Sequence, residues 1–188
     1  MSRESLLDHV VDVIADDGMG GLSVRTVATR AGVAIGTVQH WFPTKSAMLL
    51  AAMDRIGVIA DSAYRQAVVA DDPAERLRET VALLVPTGRE SKVSRVWLAF
   101  AAQAVADDEV RARYEQLWAG IQHGLVRRLA EAAPQATAAA IDDAASELLA
   151  LSDGLAVAVL DEPARMPAER ARAMVLRRTD EIIAALRR

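Results

Sequence analysis

A chain of 188 residues, 52% of them apolar, is long enough to bury a sizeable core, as one domain or as a small head on a larger body. It has no cysteine, which excludes disulfides, thiolate metal sites and a cysteine nucleophile, and its net charge is -4. The apolar runs at 96–106 and 148–160 are shorter than the roughly 20 residues of a membrane span. No apolar signal region follows the first residues, so we expect a cytoplasmic protein without a membrane partner.

The first predicted helix runs from Arg3 to Asp17 and has aspartates at every fourth position on its polar side, where we expect a solvated stripe. The segment Gly18–Gly21 ends it. Ser23 then caps a second helix, the tight turn Ala31–Val33 follows, and a third helix covers Ile35 to Trp41. A helix pair joined by a short glycine turn predicts a helix-turn-helix, whose second helix enters the DNA major groove.

The window from residue 18 to residue 53 contains no Asp or Glu, although the chain as a whole is acidic. Its basic side chains predict a local positive surface of the kind that binds DNA phosphates without regard to sequence. These side chains are Arg25, Arg30, His40 and Lys45. The alternative is a small apolar helical hairpin with few charges of either sign, because short look-alikes of the motif are common.

Residues 6–54 resemble the N-terminal DNA-binding domain of the TetR family of bacterial transcriptional regulators. The matching segments follow the order and spacing of the family signature: Leu7–Ala15, Asp17-Gly18, Leu22–Ala28, Ala31–Val33, Gly36–Val38 and Phe42–Lys45. The resemblance implies a DNA-binding domain over residues 1–50, with DNA contacts from Arg25, Thr26, Ile35, Gly36, Thr37, Gln39, His40, Trp41 and Lys45. Three positions depart from the family pattern: Ala34 replaces a capping Ser, and Gln39 and Trp41 stand where Tyr is common.

Beyond this motif, Thr44 is expected to cap a long fourth helix that connects the head to a body of residues 51–188. In the body, Asp72-Pro73 begins a fifth helix, which ends near Val85. Four further helices are predicted at about 91–106, 108–132, 137–160 and 167–187, with Asp108 as the cap of the seventh. No segment alternates with the period of a strand, so the predicted fold is all-α, with nine helices.

The eighth predicted helix is apolar nearly all round and must therefore be covered on several sides. In a chain this small the last side is often a second subunit, so we expect a homodimer built as a four-helix bundle from helices 8 and 9 of each copy. The expected interface residues are Ile141, Leu148, Leu151, Gly154, Leu155, Met174 and Ile182. The alternative is a monomer with helix 8 at the centre of its core.

The body is similar to the C-terminal domain of choline/betaine-type (BetI-like) TetR regulators. The similar segments are Arg95–Phe100, Asp108–Arg113, Leu149–Leu155 and Pro167–Ala171. The resemblance implies a small-molecule effector, of unspecified identity, in the bundle of helices 4 to 8. Its expected contacts, which would line an apolar cavity or hold a quaternary ammonium by cation–π contact, are Tyr64, Trp97, Phe100, Gln103, Trp118 and Gln122. The alternative is that Trp97, Phe100 and Trp118 fill the core.

These features together predict a ligand-responsive DNA-binding regulator, a repressor that acts as a two-fold dimer on a palindromic double-stranded operator and needs no cofactor. A second class is a helical small-molecule-binding protein whose head has lost DNA binding, which the departures at Ala34, Gln39 and Trp41 allow. A third class is an all-α enzyme. The chain has no Gly-rich phosphate loop, no His-Glu-x-x-His and no Gly-x-Ser-x-Gly, and its three histidines lie far apart, so nothing favours that class.

Overall fold

The computed structural model describes all 188 residues and contains nine α-helices and no strand, as the sequence predicted. In chain order the helices are α1 Arg3–Gly21, α2 Val24–Ala31, α3 Ile35–Trp41, α4 Lys45–Ala67, α5 Pro73–Leu84, α6 Lys92–Ala104, α7 Asp108–Ala132, α8 Ala138–Asp161 and α9 Ala168–Leu186. The predicted ends agree with these to within about one turn. No helix is both long enough and apolar enough to span a bilayer.

The helices belong to two compact units. Unit 1 comprises Met1–Asp61 and Lys92–Leu117, and unit 2 comprises Ser62–Ser91 and Trp118–Arg188. Helices α4 and α7 contribute residues to both units. The predicted division into residues 1–50 and 51–188 concerns function rather than contacts, and it stays a prediction.

The start and end of several helices follow from local capping. Ser23, Thr44, Asp72 and Thr137 each accept a hydrogen bond from the backbone N–H three residues later, as N-caps do. For α7 the prediction was wrong, because the carboxylate of Asp107, not Asp108, accepts from the first backbone N–H groups. Asp108 is instead the first helical residue and pairs with Arg111.

The glycine cluster breaks α1 at one residue rather than ending it. Gly18 has φ 68° and ψ -174°, a conformation that L side chains rarely adopt, and helical structure resumes as far as Gly21. The helix therefore carries a kink where the sequence predicted an end.

Unit 1 has a core formed by the apolar faces of α1, α2, α4 and α6. Helix α1 packs mainly against α6 and α2, and α2 packs against α3. Among the fully buried side chains are Leu6, Ile14, Phe42, Met48 and Phe100. Burial of a side chain of this size contributes roughly 1.5–3 kcal/mol, so this core is what orients α2 and α3.

The aspartates on the polar side of α1 lie at the surface, as the sequence predicted, but solvent is not their only neighbour. Each of them pairs with a cation from another helix of unit 1. The pairs are Asp8 with Arg55 at 2.8 Å, Asp12 with Lys92 at 2.5 Å and Asp16 with Arg30 at 2.7 Å. Each pair is partly exposed, so we expect it to orient the helices while adding at most about 1 kcal/mol.

Unit 2 has a second core, in which α5, α8 and α9 contact one another and α7 contributes Leu125 and Leu129. One face of α8 is buried by these neighbours, and the opposite face carries small or apolar residues that stay on the surface. The surface residues are Ala150, Leu151, Gly154 and Val157, of which Val157 is 40% exposed. The protomer's own core therefore explains why one face of α8 is apolar, but it does not explain the apolar residues on the opposite face.

Asp153 lies on this outer face of α8, and we expect it to make stability depend on pH. Although part of the side chain is open to solvent, burial raises the pKa of its carboxyl group to about 6, from an ordinary value of 3.8. Between about pH 4 and pH 6 the folded chain then binds more protons than the unfolded chain, so stability falls as the pH rises through this range. Above pH 6 the full penalty applies.

Replacing Asp153 by asparagine removes this titration. We expect D153N to be more stable than the wild type at pH 7.5, by less than about 1 kcal/mol because the group is partly solvated, and to lose that advantage near pH 4. Urea unfolding followed by circular dichroism at several pH values measures the difference. D143N, a change at an exposed carboxylate on the same helix, is the control. An equal gain for D153N at pH 4 and pH 7.5 would contradict the expectation.

Candidate nucleic-acid interface

The turn between α2 and α3 has the geometry that its glycine predicted. Gly32 has φ 66° and ψ 33°, the left-handed conformation that ends a helix. The N–H of Gly32 donates to the carbonyl of Thr29 at 3.3 Å, and the N–H of Val33 donates to that of Ala28 at 3.0 Å. The Ser23 hydroxyl accepts from the Thr26 N–H at 3.0 Å at the other end of α2. These local contacts fix the angle between the two helices.

Helix α3 is anchored by one side and exposes the other. Val38 is 0% exposed and the following Phe42 is 1% exposed, so both belong to the core of unit 1. Ala34 occupies the N-cap position without a side-chain hydrogen bond, as the sequence predicted. On the outer side, Ile35 is 44% and Trp41 is 40% exposed, which is unusual for side chains of this size. The exposed side of α3 is therefore available to a partner.

The structure brings all nine predicted DNA contacts to the surface of unit 1. Seven are exposed: Arg25, Ile35, Gly36, Gln39, His40, Trp41 and Lys45. Thr26 and Thr37 are half-buried. The rings of His40 and Trp41 meet edge to face with 5.1 Å between centroids, so the two aromatic side chains support each other's position.

The positive surface differs from the one that the acid-free window predicted. Arg30 lies 2.7 Å from a carboxylate oxygen of Asp16 and 3.0 Å from one of Asp17, so its charge is already balanced. The Lys45 ammonium donates to the carbonyl of Met19 at 3.2 Å, which gives a structural reason for a cation in the first turn of α4. Arg25 has no carboxylate partner within its own chain.

One cation next to this surface was missed by the sequence reasoning. Arg3, at the start of α1, lies with its guanidinium carbon 5.6 Å from the centroid of the Phe42 ring. No local pattern reveals this contact, because the two residues are far apart in the sequence and meet only when α1 packs beside the helix-turn-helix.

The six predicted effector contacts are divided between the two units. Trp97, Phe100 and Gln103 belong to unit 1. Phe100 is 0% exposed within that core, so for this residue the structure favours the alternative of core filling. Trp97 is half-buried and meets Tyr114 edge to face, with 6.2 Å between ring centroids.

The predicted contacts in unit 2 are Tyr64, Trp118 and Gln122. The guanidinium of Arg128 lies 5.0 Å from the centroid of the Tyr64 ring, so a cation of the chain itself occupies that aromatic face. The Gln122 amide donates to the Ser146 hydroxyl at 2.9 Å. A quaternary ammonium on that face of the Tyr64 ring would have to displace Arg128.

The predicted interface residues also separate into two groups. Four of them are at most 6% exposed and fill the core of unit 2, so they have almost no surface left for a partner: Ile141, Leu148, Leu155 and Ile182. The other three, Leu151, Gly154 and Met174, lie at least partly on the surface. The reason for the discrepancy is that helical spacing identifies apolar positions without saying which apolar face packs inside the protomer.

A groove of about 570 Å³ lies along the outer side of α8 and α9. Its lining residues are Glu147, Ala150, Leu151, Met174, Arg177, Arg178 and Glu181. Arg178 donates to Glu147 at 2.6 Å and to Glu181 at 2.8 Å, and the first of these hydrogen bonds holds the pKa of Glu147 below its ordinary value. Arg177, by contrast, has no carboxylate partner in its own chain. The groove is thus a small apolar strip bordered by charges.

Comparison with known proteins identifies both parts of the chain. Residues 6–52 match the model of the bacterial regulatory proteins of the tetR family, and residues 73–184 match the model of the C-terminal domain of BetI-type transcriptional repressors. The regulator BetI of Burkholderia thailandensis is 33% identical over 156 residues, which are 81% of this chain and 78% of that protein. The regulator PksA of Bacillus subtilis is 28% identical over 183 residues, which are 96% of this chain and 89% of that protein.

Solved structures show the same fold. A transcriptional regulator from Rhodococcus sp. RHA1 is 30% identical and superimposes with a TM-score of 0.86, over 98% of this chain and 97% of that one. A regulator from Saccharomonospora viridis, solved in complex with choline, is 23% identical and superimposes with a TM-score of 0.83 over 92% of each chain.

Proposed function

This chain belongs to the TetR family of bacterial transcriptional regulators and carries a BetI-type repressor C-terminal domain, and from that premise we propose that it is a ligand-responsive repressor acting as a two-fold dimer on a palindromic operator. Its relatives are transcriptional regulators rather than enzymes. The proposal concerns what membership of the family leaves open: the residues that touch DNA, the dimer and the response to an effector.

The observation that carries the DNA-binding proposal is the exposed side of α3. A short helix whose buried side holds Val38 projects Gln39 and His40 to the outside. A glutamine amide can pair with both the acceptor and the donor of an adenine edge in the major groove, and a histidine can donate to a guanine or to a phosphate. Arg25 and Lys45 supply charge for the phosphates on either side.

Selection of bound sequences from random duplex DNA tests this proposal directly. We expect the selected sequences to contain an inverted repeat with half-sites one helical turn apart, or a multiple of it, because each subunit would place one α3 in the major groove. Enrichment of no sequence, together with binding that does not respond to salt, would instead favour a small-molecule-binding protein whose head has lost DNA binding.

The dimer proposal is supported by the outer side of α8 and α9. Ala150, Leu151 and Met174 form an apolar strip there, and Arg177 beside it lacks an ionic partner in its own chain. In a two-fold interface the same strip meets itself, which would cover the apolar side chains of both copies. We therefore restrict the proposed interface to Leu151, Gly154 and Met174, which reach this surface. The four predicted residues that lie in the core are left out: Ile141, Leu148, Leu155 and Ile182.

Replacing Leu151 by glutamate is expected to convert the dimer to a monomer, because it would place a carboxylate in the apolar strip of both copies. Sedimentation equilibrium should show the wild type at twice the 20.2 kDa mass of the chain and L151E at that mass. The control is V105E, a change at an apolar residue of unit 1 that is 83% exposed, which should leave the mass unchanged. A monomeric wild type at micromolar concentration, or a dimeric L151E, would rule out this interface.

The effector proposal is supported by the BetI-type C-terminal domain. An effector acts on DNA binding only if it binds the DNA-free and DNA-bound forms with different affinity, and the two affinities are linked reciprocally. An effector that releases the chain from its operator must therefore bind the free chain more tightly than the chain on DNA. Of the six predicted contacts only Phe100 is buried, and the other five are half-buried: Tyr64, Trp97, Gln103, Trp118 and Gln122. The half-buried contacts are the first to examine.

A further inference from the structure

We propose that Arg3 is an additional phosphate contact beside the major groove read by α3, an inference that rests on the proposed DNA-binding function. Arg3 precedes the segment that matches the family model, which begins at residue 6. Its exposed side chain lies over the ring of Phe42, the residue that directly follows α3. The Phe42 N–H in turn donates to the Val38 carbonyl at 2.8 Å. An arginine of α1 is thus held at the C-terminal end of α3.

The charge of Arg3 is not balanced within the chain. Arg3 has no ion pair with any carboxylate. Of the acidic residues nearest to it in the sequence, Glu4 forms no ion pair and Asp8 is engaged with Arg55. Asp8 lies 2.8 Å from the Arg55 guanidinium. The positive charge over Phe42 therefore remains available to an anion outside the protein.

The position of the Arg3 guanidinium over the Phe42 ring suits a phosphate. A guanidinium that lies over an aromatic ring uses one face for the ring, and its N–H donors in the plane stay free for hydrogen bonds. Phosphate oxygens accept two such donors at once, which makes arginine the preferred side chain for this contact. Arg30 differs in this respect, since its N–H groups already donate to Asp16 and Asp17. Arg3, not Arg30, is therefore the arginine that complements Arg25 on this surface.

The test compares R3A, R3K and wild type in the full chain. The probes are a labelled duplex obtained by the selection described above and a duplex of random sequence, and fluorescence anisotropy is measured from 50 to 300 mM salt. Loss of one phosphate contact per subunit removes two contacts from the dimer, which lowers the slope of log affinity against log salt by about 1.8. We expect R3A to bind both duplexes about tenfold more weakly with a correspondingly lower slope, and R3K to keep the wild-type slope.

The control is R172A, a change at an exposed arginine of α9 in unit 2 that has no ion pair. An unchanged slope for R3A would overturn the proposal even if its affinity fell, because a purely structural clamp on Phe42 would lower thermal stability without altering the salt dependence. In that case the proposed DNA-binding function would still stand, provided that changes in α3 reduce binding. If the wild type itself bound neither duplex, the proposed function would fail first.

Discussion

Replacing Phe42 by alanine is expected to unfold much of unit 1, whereas replacing its neighbour Trp41 is expected to weaken DNA binding in a protein that stays folded. Phe42 is 1% exposed and Trp41 is 40% exposed. Removing a buried phenylalanine ring costs about 3–5 kcal/mol, because the cavity left behind collapses only partly. Trp41 is half in solvent, so its loss should cost about 1 kcal/mol or less.

Two measurements on each variant separate these roles. Urea unfolding followed by circular dichroism should show a large loss of stability for F42A and a small one for W41A. Anisotropy with the selected duplex should show that W41A binds at least about tenfold more weakly, because the indole N–H can no longer donate to a phosphate. A W41A variant that binds like the wild type would remove Trp41 from the interface. A stable F42A variant would show that the packing beneath α3 is not as tight as its burial indicates.

The double variant Q39A/H40A is expected to lose the preference for the operator while keeping its affinity for random DNA. Both side chains are exposed on α3 and neither belongs to the core. A well-placed contact to a base edge contributes about 1–3 kcal/mol of discrimination, so the two together should reduce the preference by about a hundredfold. The charges of Arg25 and Lys45 remain, so binding to a random duplex should change little.

Competition between the selected duplex and a random duplex measures this preference. Q135A, a change at an exposed glutamine in the turn between α7 and α8, is the matched control. The single variants Q39A and H40A show which side chain carries the discrimination. An equal loss on both duplexes would mean that the two residues contact phosphates rather than bases.

Much of the fold could be predicted because it depends on short stretches of sequence. Apolar spacing of three and four residues marks all nine helices, and residues such as Ser23 and Asp72 mark where helices begin. The turn at Gly32 could be predicted for the same reason, since the left-handed conformation of one residue is a local property. The surface position of α3 then follows from the alternation between Val38 and its exposed neighbours.

What sequence reasoning missed, or misjudged, was decided between residues that are distant in the chain. The sequence predicted Arg30 as a cation available to DNA, but in the structure it forms ion pairs with Asp16 and Asp17 of the preceding helix. The sequence predicted Tyr64 as an aromatic contact for an effector, but in the structure the guanidinium of Arg128 lies over its ring. Each of these outcomes depends on which helices pack together, and no spacing within a single helix contains that information.

The sequence by itself therefore determined the helices, the motif and the family, because these depend on local periodicity and on residue types in a fixed order. Only the tertiary structure decided which apolar side of α8 packs in the core, with Leu148 and Leu155, and which side, with Leu151, stays at the surface. Only the tertiary structure brought Arg3 to Phe42. The physical reason is the same in both cases: burial and charge balance are properties of the packed chain, and they depend on neighbours that the sequence does not place beside each residue.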